Sequence, residues 1–368
     1  MTETRTLSAD PSGVMSLITA QDHEMVLHCQ DHATGLKAII AVHNTVLGPG
    51  LGGIRMWPYE NEQAALDDVL RLSRGMTYKA SAAGLNLGGG KSVIIRDAKL
   101  PKSEALLRRF GKFVDSLAGN YVAAEDVGMT EADMVHIYKE TKFVTGIPED
   151  IGGSGDPSPV TAYGVFCGIR AALKYRNGSD SLSGKKILVQ GVGTVGEHLV
   201  KLLTKHGARV FIYDIYEPRV KEVVAKYNVQ VADPSEVYTL DVDVFAPCAL
   251  GAGLNPDTIP TLGCDIVAGA ANNQLLDETR DSQLLIERGI LYTPDFVINA
   301  GGIINISLEI EEGPYDPKRA LELTEKTYQN TLNVFHLSEE QHISPHAAAM
   351  QFAEKRIQAK RSNSSQIT

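Results

Sequence analysis

The chain has 368 residues, of which 43% are hydrophobic and 22% are charged, and its formal net charge at pH 7 is −10. This length suffices for two domains, and the composition is ordinary for a soluble globular protein. The acidic balance argues against non-specific nucleic-acid binding, which needs a basic surface, but it allows a small anionic ligand in a local basic pocket. The polar N-terminus lacks the pattern of a signal peptide, and no apolar run approaches the ~20 residues of a membrane span. We therefore expect a cytoplasmic protein with no nucleic-acid or membrane partner.

The first part of the chain predicts a mixture of strands and helices. Residues 24–45 are predicted to form two strands around an Ala-Thr-Gly turn, whereas residues 47–59, which are rich in glycine and proline, predict a loop. Apolar residues recur at helical spacing over about 61–79. A helix at 103–117 and a short strand at 121–130, which ends in a polar loop, follow further along the chain.

The stretch GLNLGGGKS at 84–92 predicts a flexible loop that leads into a short buried strand at 92–96. It differs from a phosphate-binding loop, because that motif needs a glycine five positions before its last one, where this chain has Leu85, and a helix after it. The three glycines allow a close approach to the backbone beside Lys91. Lys91 is therefore a candidate functional residue with no triphosphate motif around it.

A linker is predicted near the middle of the chain. Residues 151–160 (IGGSGDPSPV) combine glycine, serine and two prolines between periodic segments. After them, short apolar strands alternate with helices, which predicts a parallel sheet with helices on both faces. The predicted elements are a helix at 161–176, a strand at 186–190, a helix at 197–206, a strand at 209–213, a helix at 217–227, and strands at 243–246 and 266–269. The segment 316–360 is predicted to be mostly helical.

The four cysteines are far apart in the sequence, and none forms a Cys-x-x-Cys pair. They are Cys29, Cys167, Cys248 and Cys264. This spacing favours buried thiols in a reducing compartment over disulfides. We expect no metal site.

The sequence GVGTVG at 191–196 lies between a predicted strand at 186–190 and a predicted helix at 197–206. A second predicted strand ends in Asp214, 23 residues after Gly191. The glycine pattern alone is a weak signal, but a strand before it, a helix after it and an acidic residue at this distance together indicate a dinucleotide site.

Each glycine of this motif has its own physical role. Gly191 permits the tight turn, Gly193 lets the pyrophosphate approach the backbone, and Gly196 lets the helix pack on the strand. The helix N-terminus offers unpaired N–H groups to the phosphates. Asp214 can accept hydrogen bonds from the adenosine ribose and would repel a 2′-phosphate, so the sequence favours NAD over NADP, although Arg219 lies nearby.

A hydride-transfer enzyme must hold its substrate beside the nicotinamide, and the first part of the chain offers three ionisable candidates in glycine-rich or loop contexts. They are Lys79 in RGMTYKA, Lys91 in the glycine-rich stretch, and Asp126 in AAEDVG. A single lysine is usually a solvated surface charge, so Lys79 read alone indicates little. The glycines before Lys91 make it the stronger candidate.

Six segments in chain order resemble the family of glutamate, leucine, phenylalanine and valine dehydrogenases, and most closely its leucine-acting members. They are GMTYKASAAGLNLGGGKSVI, AAEDVGMT, GVGTVG, FAPCALG, AGAANNQL and PDFVINAGG. The resemblance extends from about Met25 to about Arg356. It implies an NAD-dependent amino-acid dehydrogenase, which reversibly deaminates an L-amino acid to a 2-oxo acid and ammonia.

The resemblance also implies an α/β fold with two domains separated by a cleft. The N-terminal domain, 1–150, would bind substrate and build a homo-oligomer, often an octamer in the family. A Rossmann-type domain over 151–339 would bind NAD. A C-terminal helix at about 340–368 is expected to pack back on the first domain.

Residue roles follow from the matching motifs. The family's pattern makes Lys79 the ligand of the substrate carboxylate, Lys91 the catalytic lysine, and Asp126 the residue that moves protons at the amino nitrogen. The chemistry agrees, because hydride loss leaves an iminium that water must attack, and this attack needs a general base. A free lysine titrates near ~10.4, and desolvation and a nearby cation lower that value. We expect Lys79 to be that cation.

The resemblance places six residues at the substrate: Leu51, Gly52, Ala124, Asn273, Ile303 and Ile306. Glutamate dehydrogenases carry a lysine where this chain has Leu51, so a second substrate carboxylate would stay unpaired. The apolar positions suit a branched aliphatic side chain. Ile303 and Ile306 stand where valines are common, and AGAANNQL (268–275) is more similar to the phenylalanine and tryptophan members. Leucine, isoleucine and valine are therefore favoured together, and phenylalanine is the alternative.

The same motif matching places eight residues at the cofactor: Gly191, Gly193, Thr194, Val195, Gly196, Asp214, Thr161 and Asn299.

Two functions of other classes remain as alternatives. A non-catalytic nucleotide-sensing protein could keep the dinucleotide motif but would not need Lys79, Lys91 or Asp126. A hydroxy-acid dehydrogenase usually works with a histidine as acid and base and would leave the glycine-lysine stretch without a role.

Overall fold

The computed structural model describes residues 13–97, 102–249, 251–311 and 313–365. Contacts divide the chain into two compact units. The first holds the chain up to Ala80 together with Asn86–Ile151, and the second holds Ser81–Leu85 and the chain from Gly152. Within the described residues, no helix is long and apolar enough to cross a membrane.

The described part of the first unit contains a five-stranded sheet. Its strands are β1 (Met25–Asp31), β2 (Leu36–Asn44), β3 (Gly50–Trp57), β4 (Gly88–Ile95) and β5 (Tyr121–Glu125). Their spatial order is β1-β2-β4-β3-β5. The pairs β1–β2 and β2–β4 are antiparallel, whereas β3 runs parallel to both β4 and β5. The helices of this part are α1 (Val14–Ala20), α2 (Glu62–Ala82), α3 (Glu104–Ser116) and α4 (Glu131–Tyr138), followed by a 3-10 turn at Glu149–Ile151.

Both faces of this sheet are buried, because side chains alternate between the two faces along each strand. On β2, Ile40 packs in one cluster with Phe110 of α3. Its neighbour Ile39 packs in another cluster with Leu66 and Val69 of α2. The two helices therefore cover opposite faces. The predicted strand pair at 24–45 and the predicted helices at 61–79 and 103–117 are confirmed.

The loop predicted at 47–59 is wrong, because β3 occupies most of that segment and is a central strand of the sheet. The adjacent strand β4 likewise begins at Gly88, within the stretch where a flexible loop was expected. Steric contact explains both results. A methyl group on Gly52 would lie 1.7 Å from the carbonyl oxygen of Gly90, and one on Gly89 would lie 2.2 Å from the backbone nitrogen of Thr77. Glycine is present here because neighbouring backbones approach closely.

The described part of the second unit contains a six-stranded parallel sheet. Its strands are β6 (Lys186–Gln190), β7 (Arg209–Tyr213), β8 (Gln230–Val231), β9 (Val242–Pro247), β10 (Cys264–Val267) and β11 (Leu291–Tyr292). Its helices are α5 (Ser158–Asn177), α6 (Thr194–Lys205), α7 (Glu217–Lys226), α8 (Glu278–Glu287), α9 (Asp295–Ile298), α10 (Gly301–Ser307), α11 (Pro317–Gln341) and α12 (Pro345–Ser365), with a 3-10 turn at Ile259–Thr261.

The strand order of this sheet is β11-β10-β9-β6-β7-β8. This is the doubly wound order, in which successive strands extend the sheet from β6 toward one edge and from β9 toward the other. Ligands bind beyond the carboxyl ends of the two strands where this order changes, here β6 and β9. Both faces of β6 are covered, since Leu188 packs with Leu285 of α8 while Ile187 and Val189, on the opposite face, are fully buried. The predicted parallel sheet is confirmed.

The C-terminal helix α12 belongs to the second unit. It contacts the end of α2 and the turn after it, because Ser81 Oγ donates to the carbonyl oxygen of Ala353 at 2.7 Å and Arg356 Nη1 donates to that of Leu85 at 2.5 Å. Packing of this helix on the first domain stays a prediction.

All four cysteines lie in described residues and are free.

The close approach at Gly52 predicts a stability effect. Gly52→Ala should destabilise the protein by about 2–3 kcal/mol or more, because the added methyl group would contact the Gly90 backbone, which cannot rotate away. Gly75→Ala is the matched control, since Gly75 lies in α2 with no heavy atom within 4 Å of an added Cβ, and it should stabilise the helix by up to ~1 kcal/mol. Urea unfolding at equal protein concentration measures both. Equal midpoints for the two variants would contradict the close-packing explanation.

Candidate active site

Three charged side chains meet on neighbouring parallel strands of the first unit. Lys91, on β4, donates from Nζ to Asp126 Oδ2 at 2.6 Å. Arg55, on β3, donates from Nε to the same carboxylate oxygen at 3.2 Å. Asp126 follows β5 directly, and β3 lies between β4 and β5 in the sheet. The strand register therefore brings two cations to one carboxylate.

A second carboxylate extends this cluster. Asp68 on α2 accepts from Arg55 Nη1 at 2.9 Å and from the Tyr59 hydroxyl at 2.7 Å, both at Oδ2. Its other oxygen accepts from Arg71 Nη2 at 3.0 Å. Lys91, Asp126, Arg55 and Asp68 thus form a continuous row of alternating charges. We call these four residues the charge row.

Burial shifts the titration of the central pair. The Lys91 side chain is only 7% exposed, and desolvation lowers the pKa of its ammonium, an effect that the Asp126 carboxylate opposes and the Arg55 charge reinforces. Burial would raise the pKa of Asp126, but the charges of Lys91 and Arg55 together outweigh it, so this pKa lies below its usual value. A buried lysine with a lowered pKa can lose and accept a proton nearer to neutral pH than a free one.

The structure places Arg55 beside Lys91 as a cation that lowers its pKa, a role that the sequence analysis gave to Lys79. Lys79 lies in the last turn of α2 and is half-buried, and its effect on Lys91 stays a prediction. Arg55 was missed although a sequence signal was available, since it stands two residues after the Gly52–Gly53 pair.

Gly53 is a further residue that the sequence analysis missed. A methyl group there would lie 2.6 Å from Asp126 Cβ and 3.1 Å from Lys91 Nζ. Only glycine therefore fits between the lysine and the carboxylate without displacing one of them. Glycine at this position keeps open the space in which the pair forms.

The residues expected at the substrate side chain are distributed over both units. Leu51 and Gly52 lie on β3 and Ala124 lies on the adjacent β5, all three buried. In the second unit, Ile303 and Ile306 lie on α10 three residues apart and so share one face of the helix.

Asn273 also belongs to the second unit, where it has a positive φ of 51°. It lies in the described loop between β10 and α8, and its side chain is exposed. Asparagine tolerates this left-handed backbone conformation better than most residues.

The glycine-rich turn of the second unit follows β6. Gly191 has φ +97°, and a Cβ there would lie 2.7 Å from the nitrogen of Ala249, which follows β9. A Cβ on Gly196 would lie 2.0 Å from the carbonyl oxygen of Gly191, whereas one on Gly193 would meet nothing within 4 Å. Helix α6 begins at Thr194 rather than at the predicted residue 197, so Thr194, Val195 and Gly196 form its first turn.

Asp214 holds this turn in place. Its Oδ2 accepts from the backbone N–H of Val192 at 2.8 Å, and its Oδ1 accepts from the backbone N–H of Tyr216 at 2.9 Å. Arg219 donates from Nε to the Val192 carbonyl oxygen at 2.9 Å and forms an ion pair with Glu197. The carboxylate that follows β7 therefore organises the backbone around the glycines.

Two more residues predicted at the cofactor lie near the start of α10. Thr161 on α5 donates from Oγ1 to the Pro157 carbonyl oxygen at 3.0 Å. Asn299 is buried and donates from Nδ2 to the Ala270 carbonyl oxygen at 3.1 Å and to Asn272 Oδ1 at 2.8 Å. Its own Oδ1 has no hydrogen-bond partner among the described residues. Such a buried acceptor is suited to receive a donor from a ligand.

Comparison with known proteins gives one consistent result. Residues 23–143 match the family described as "Glu/Leu/Phe/Val dehydrogenase, dimerisation domain", and residues 152–214 and 212–364 match "Glutamate/Leucine/Phenylalanine/Valine dehydrogenase". The leucine dehydrogenases of Geobacillus stearothermophilus and Bacillus subtilis are each 51% identical to this chain, over 340 and 346 residues, which is 92% and 94% of both proteins compared. The crystal structure of L-tryptophan dehydrogenase from Nostoc punctiforme superposes with a TM-score of 0.84 at 44% identity, covering 95% of this chain and 99% of that one.

The central ion pair predicts a pH-dependent stability effect. Asp126→Asn should cost about 3 kcal/mol near pH 7, because it leaves a buried ammonium without its counter-ion. With the carboxylate gone, the folded-state pKa of Lys91 falls further below its unfolded value. The destabilisation is then fully present at pH values below the folded-state pKa of Lys91. It is relieved as the pH rises toward the unfolded-state pKa of a lysine, ~10.4.

Urea unfolding of native protein and variant at pH 7 and pH 9.5 tests this effect. Glu217→Gln is the control, because it removes an exposed ion pair with Lys221, and it should change stability little at either pH. If Asp126→Asn loses as much unfolding free energy at pH 9.5 as at pH 7, the Lys91 charge is not the cause of the loss.

Proposed function

We propose, on the premise that this chain belongs to the glutamate/leucine/phenylalanine/valine dehydrogenase family, that Lys91 and Asp126 carry its acid–base chemistry. The protein is an amino-acid dehydrogenase that reversibly deaminates branched-chain L-amino acids to 2-oxo acids and ammonia with a nicotinamide cofactor. The observation that supports the assignment of these two residues is the ion pair at 2.6 Å that the buried Lys91 forms with Asp126.

The two residues have complementary tasks. A bound nicotinamide would supply the acceptor for the hydride of the substrate Cα, and the oxidised substrate is then an iminium. Neutral Lys91 then takes a proton from water as the water adds to the iminium carbon. Asp126 takes a proton from the substrate ammonium before hydride transfer and returns it to the nitrogen of the water adduct. The nitrogen then leaves as ammonia as the carbonyl forms, and the hydroxyl proton passes to solvent. Lys79 pairs with the substrate carboxylate and fixes its orientation.

The ionisation state of Lys91 decides whether it can act as a base. In water a lysine would be almost wholly protonated at neutral pH. Burial lowers its pKa, and bound substrate would exclude water from it further. The general base is thus produced by its environment and not by the residue type alone.

The residues of the second unit fit NAD as the nicotinamide cofactor. Gly193 leaves its surroundings open for the pyrophosphate, and the first turn of α6, Thr194–Gly196, offers backbone N–H groups to it. Asp214 keeps lone pairs for the ribose hydroxyls beyond the two backbone bonds it accepts. Arg219 is occupied by Glu197 and Glu222, so it is not available to bind a 2′-phosphate. Asn299 Oδ1 and Thr161 would contact the nicotinamide end.

The residues assigned to the substrate side chain are apolar, and this supports the substrate class. Leu51, Ala124, Ile303 and Ile306 offer no charge to a second carboxylate, and leaving that group unpaired would be costly. The aromatic alternative rests on AGAANNQL at 268–275, whereas leucine dehydrogenases are similar to this chain over nearly its full length.

The protein is proposed to work as a homo-oligomer, with the octamer as the expected form. The support for self-association is the match of the N-terminal unit to a domain described as a dimerisation domain. The first unit is assigned to substrate binding and catalysis, and the second to the dinucleotide.

Substrate range is the direct test of the function. In the presence of 4-methyl-2-oxopentanoate, the oxidation of NADH should require ammonia. In the opposite direction, with amino acid and NAD, the kcat/KM values of leucine, isoleucine and valine should differ by no more than the ~10–200-fold that a methylene is worth in an apolar pocket. The kcat/KM of glutamate should be far lower. Ala124→Gly should raise kcat/KM for phenylalanine relative to leucine because it opens space. Turnover without ammonia, or a native preference for glutamate, would overturn the proposal.

Cofactor choice is tested at Asp214. Asp214→Ala should weaken NADH binding about tenfold or more and narrow the preference for NAD over NADP, because it removes both the ribose acceptor and the charge that repels the phosphate. Arg219→Gln is the control and should leave the preference unchanged, since its guanidinium is held by carboxylates. Fluorescence titration with NADH and NADPH measures both variants. A native enzyme that prefers NADP would show that Asp214 has been misassigned.

A further inference from the structure

Arg55 occupies a position in the charge row that the assigned roles of Lys79, Lys91 and Asp126 leave unexplained. It touches both carboxylates, with Nε on Asp126 and Nη1 on Asp68. Its side chain is 24% exposed, and those of Asp126 and Asp68 are 24% and 16% exposed. A half-buried guanidinium fixed at both ends is held in one orientation and carries a charge that does not titrate in the working pH range.

We propose that Arg55 is a positioning residue of the deamination, which holds the Asp126 carboxylate and supplies the fixed positive charge that allows Lys91 to give up its proton. This inference rests on the proposed function, because it assigns Arg55 a part in preparing the same base. Arg55 contacts neither the water nor the substrate in this role and acts through Asp126.

Charge balance explains why such a residue is needed. A carboxylate 2.6 Å from an ammonium holds the proton on that ammonium, which would oppose the use of Lys91 as a base. Arg55 shares the same oxygen, Oδ2 of Asp126, and so neutralises part of the charge that Lys91 experiences. When Lys91 is neutral, Asp126 keeps Arg55 as a counter-ion and does not become an isolated buried anion.

Asp68 and Tyr59 keep the guanidinium in place. Asp68 Oδ2 accepts from both Arg55 and the Tyr59 hydroxyl. Burial raises the pKa of Tyr59, so its hydroxyl stays a hydrogen-bond donor throughout the working range. This carboxylate lies on α2, whereas Arg55 lies on β3, so the helix that packs on this face of the sheet fixes the strand's side chain.

The charged groups that act on Lys91 come from each element around it. Asp126 follows β5, Arg55 lies on β3, and Asp68 lies on α2. Asp126 and Asp68 raise the Lys91 pKa and Arg55 lowers it. The hydroxyl of Tyr121 on β5 also lies near Asp126, but burial raises its pKa and it remains neutral. Removal of the Arg55 charge alone therefore shifts the Lys91 pKa upward.

The pH dependence of kcat/KM for leucine with NAD measures this shift. Activity should rise with pH as Lys91 loses its proton. In Arg55→Gln the midpoint should move up by about one pH unit or more, with kcat/KM at pH 8 reduced at least about tenfold and partly recovered at higher pH. Arg71→Gln is the matched control. Arg71 binds the same Asp68 but is 58% exposed, and its loss should leave the midpoint in place.

Arg55→Lys separates charge from orientation. It keeps the positive charge, so its midpoint should stay near the native one, but a single ammonium cannot hold both carboxylates as a guanidinium does, so kcat should fall. If Arg55→Gln does not fold, the kcat of Arg55→Lys still tests the positioning role. A native kcat in Arg55→Lys, or an unmoved midpoint in a folded Arg55→Gln, would overturn the positioning role.

Lys91→Ala distinguishes failure of this inference from failure of the proposed function. It should lose most of the ammonia-dependent turnover and still bind NADH, which is assigned to the other unit. If Lys91→Ala is inactive but the Arg55→Gln midpoint is native, only the role of Arg55 is wrong. If Lys91→Ala turns over normally, Lys91 is not the base and the proposed function of the site fails with it.

Discussion

The ion pair between Lys91 and Asp126 is the interaction on which the rest of the first unit depends. A protonated lysine whose side chain is only 7% exposed needs a counter-ion beside it. The sheet provides one by placing β3, β4 and β5 in parallel register. Arg55 then joins Asp126 from the middle strand, and Asp68 joins Arg55 from α2. Each added charge is paired with the one before it. The result is a partly buried row of charges in which one member, Lys91, can change its protonation state.

Glycines make this arrangement sterically possible. At Gly52 an added methyl group would collide with the Gly90 backbone, and at Gly53 it would collide with Asp126 itself. These residues lie in strands, where glycine normally weakens the structure because it contributes no side chain to packing. Here the loss is offset by close contact between strands and by the space that the charged side chains occupy. The chain gives up some strand stability at the place where its chemistry is proposed to occur.

The second unit organises its ligand site around one carboxylate as well. Asp214 accepts two backbone N–H groups and so fixes the turn that contains Gly191 and Gly193. The strand order reverses between β6 and β9, which leaves the turn at the carboxyl end of the central strand. Both units thus use a carboxylate after a strand to fix a site, one by pairing with side-chain cations and the other by accepting from the backbone.

The sequence by itself determined the features that depend on neighbouring residues. Hydrophobic periodicity located most of the long helices and several of the alternating strands, and the spacing from Gly191 to Asp214 located the dinucleotide turn. Such signals lie within a few residues or one supersecondary unit. Tertiary structure alone decided the strand at 50–57, where glycine and proline content predicted a loop. Local propensity could not show that another backbone would pack against those glycines. It also decided the role of Arg55, whose partners Asp68 and Asp126 lie 13 and 71 residues away, and the proton affinity of Lys91, since burial and nearby charge exist only once the chain has folded.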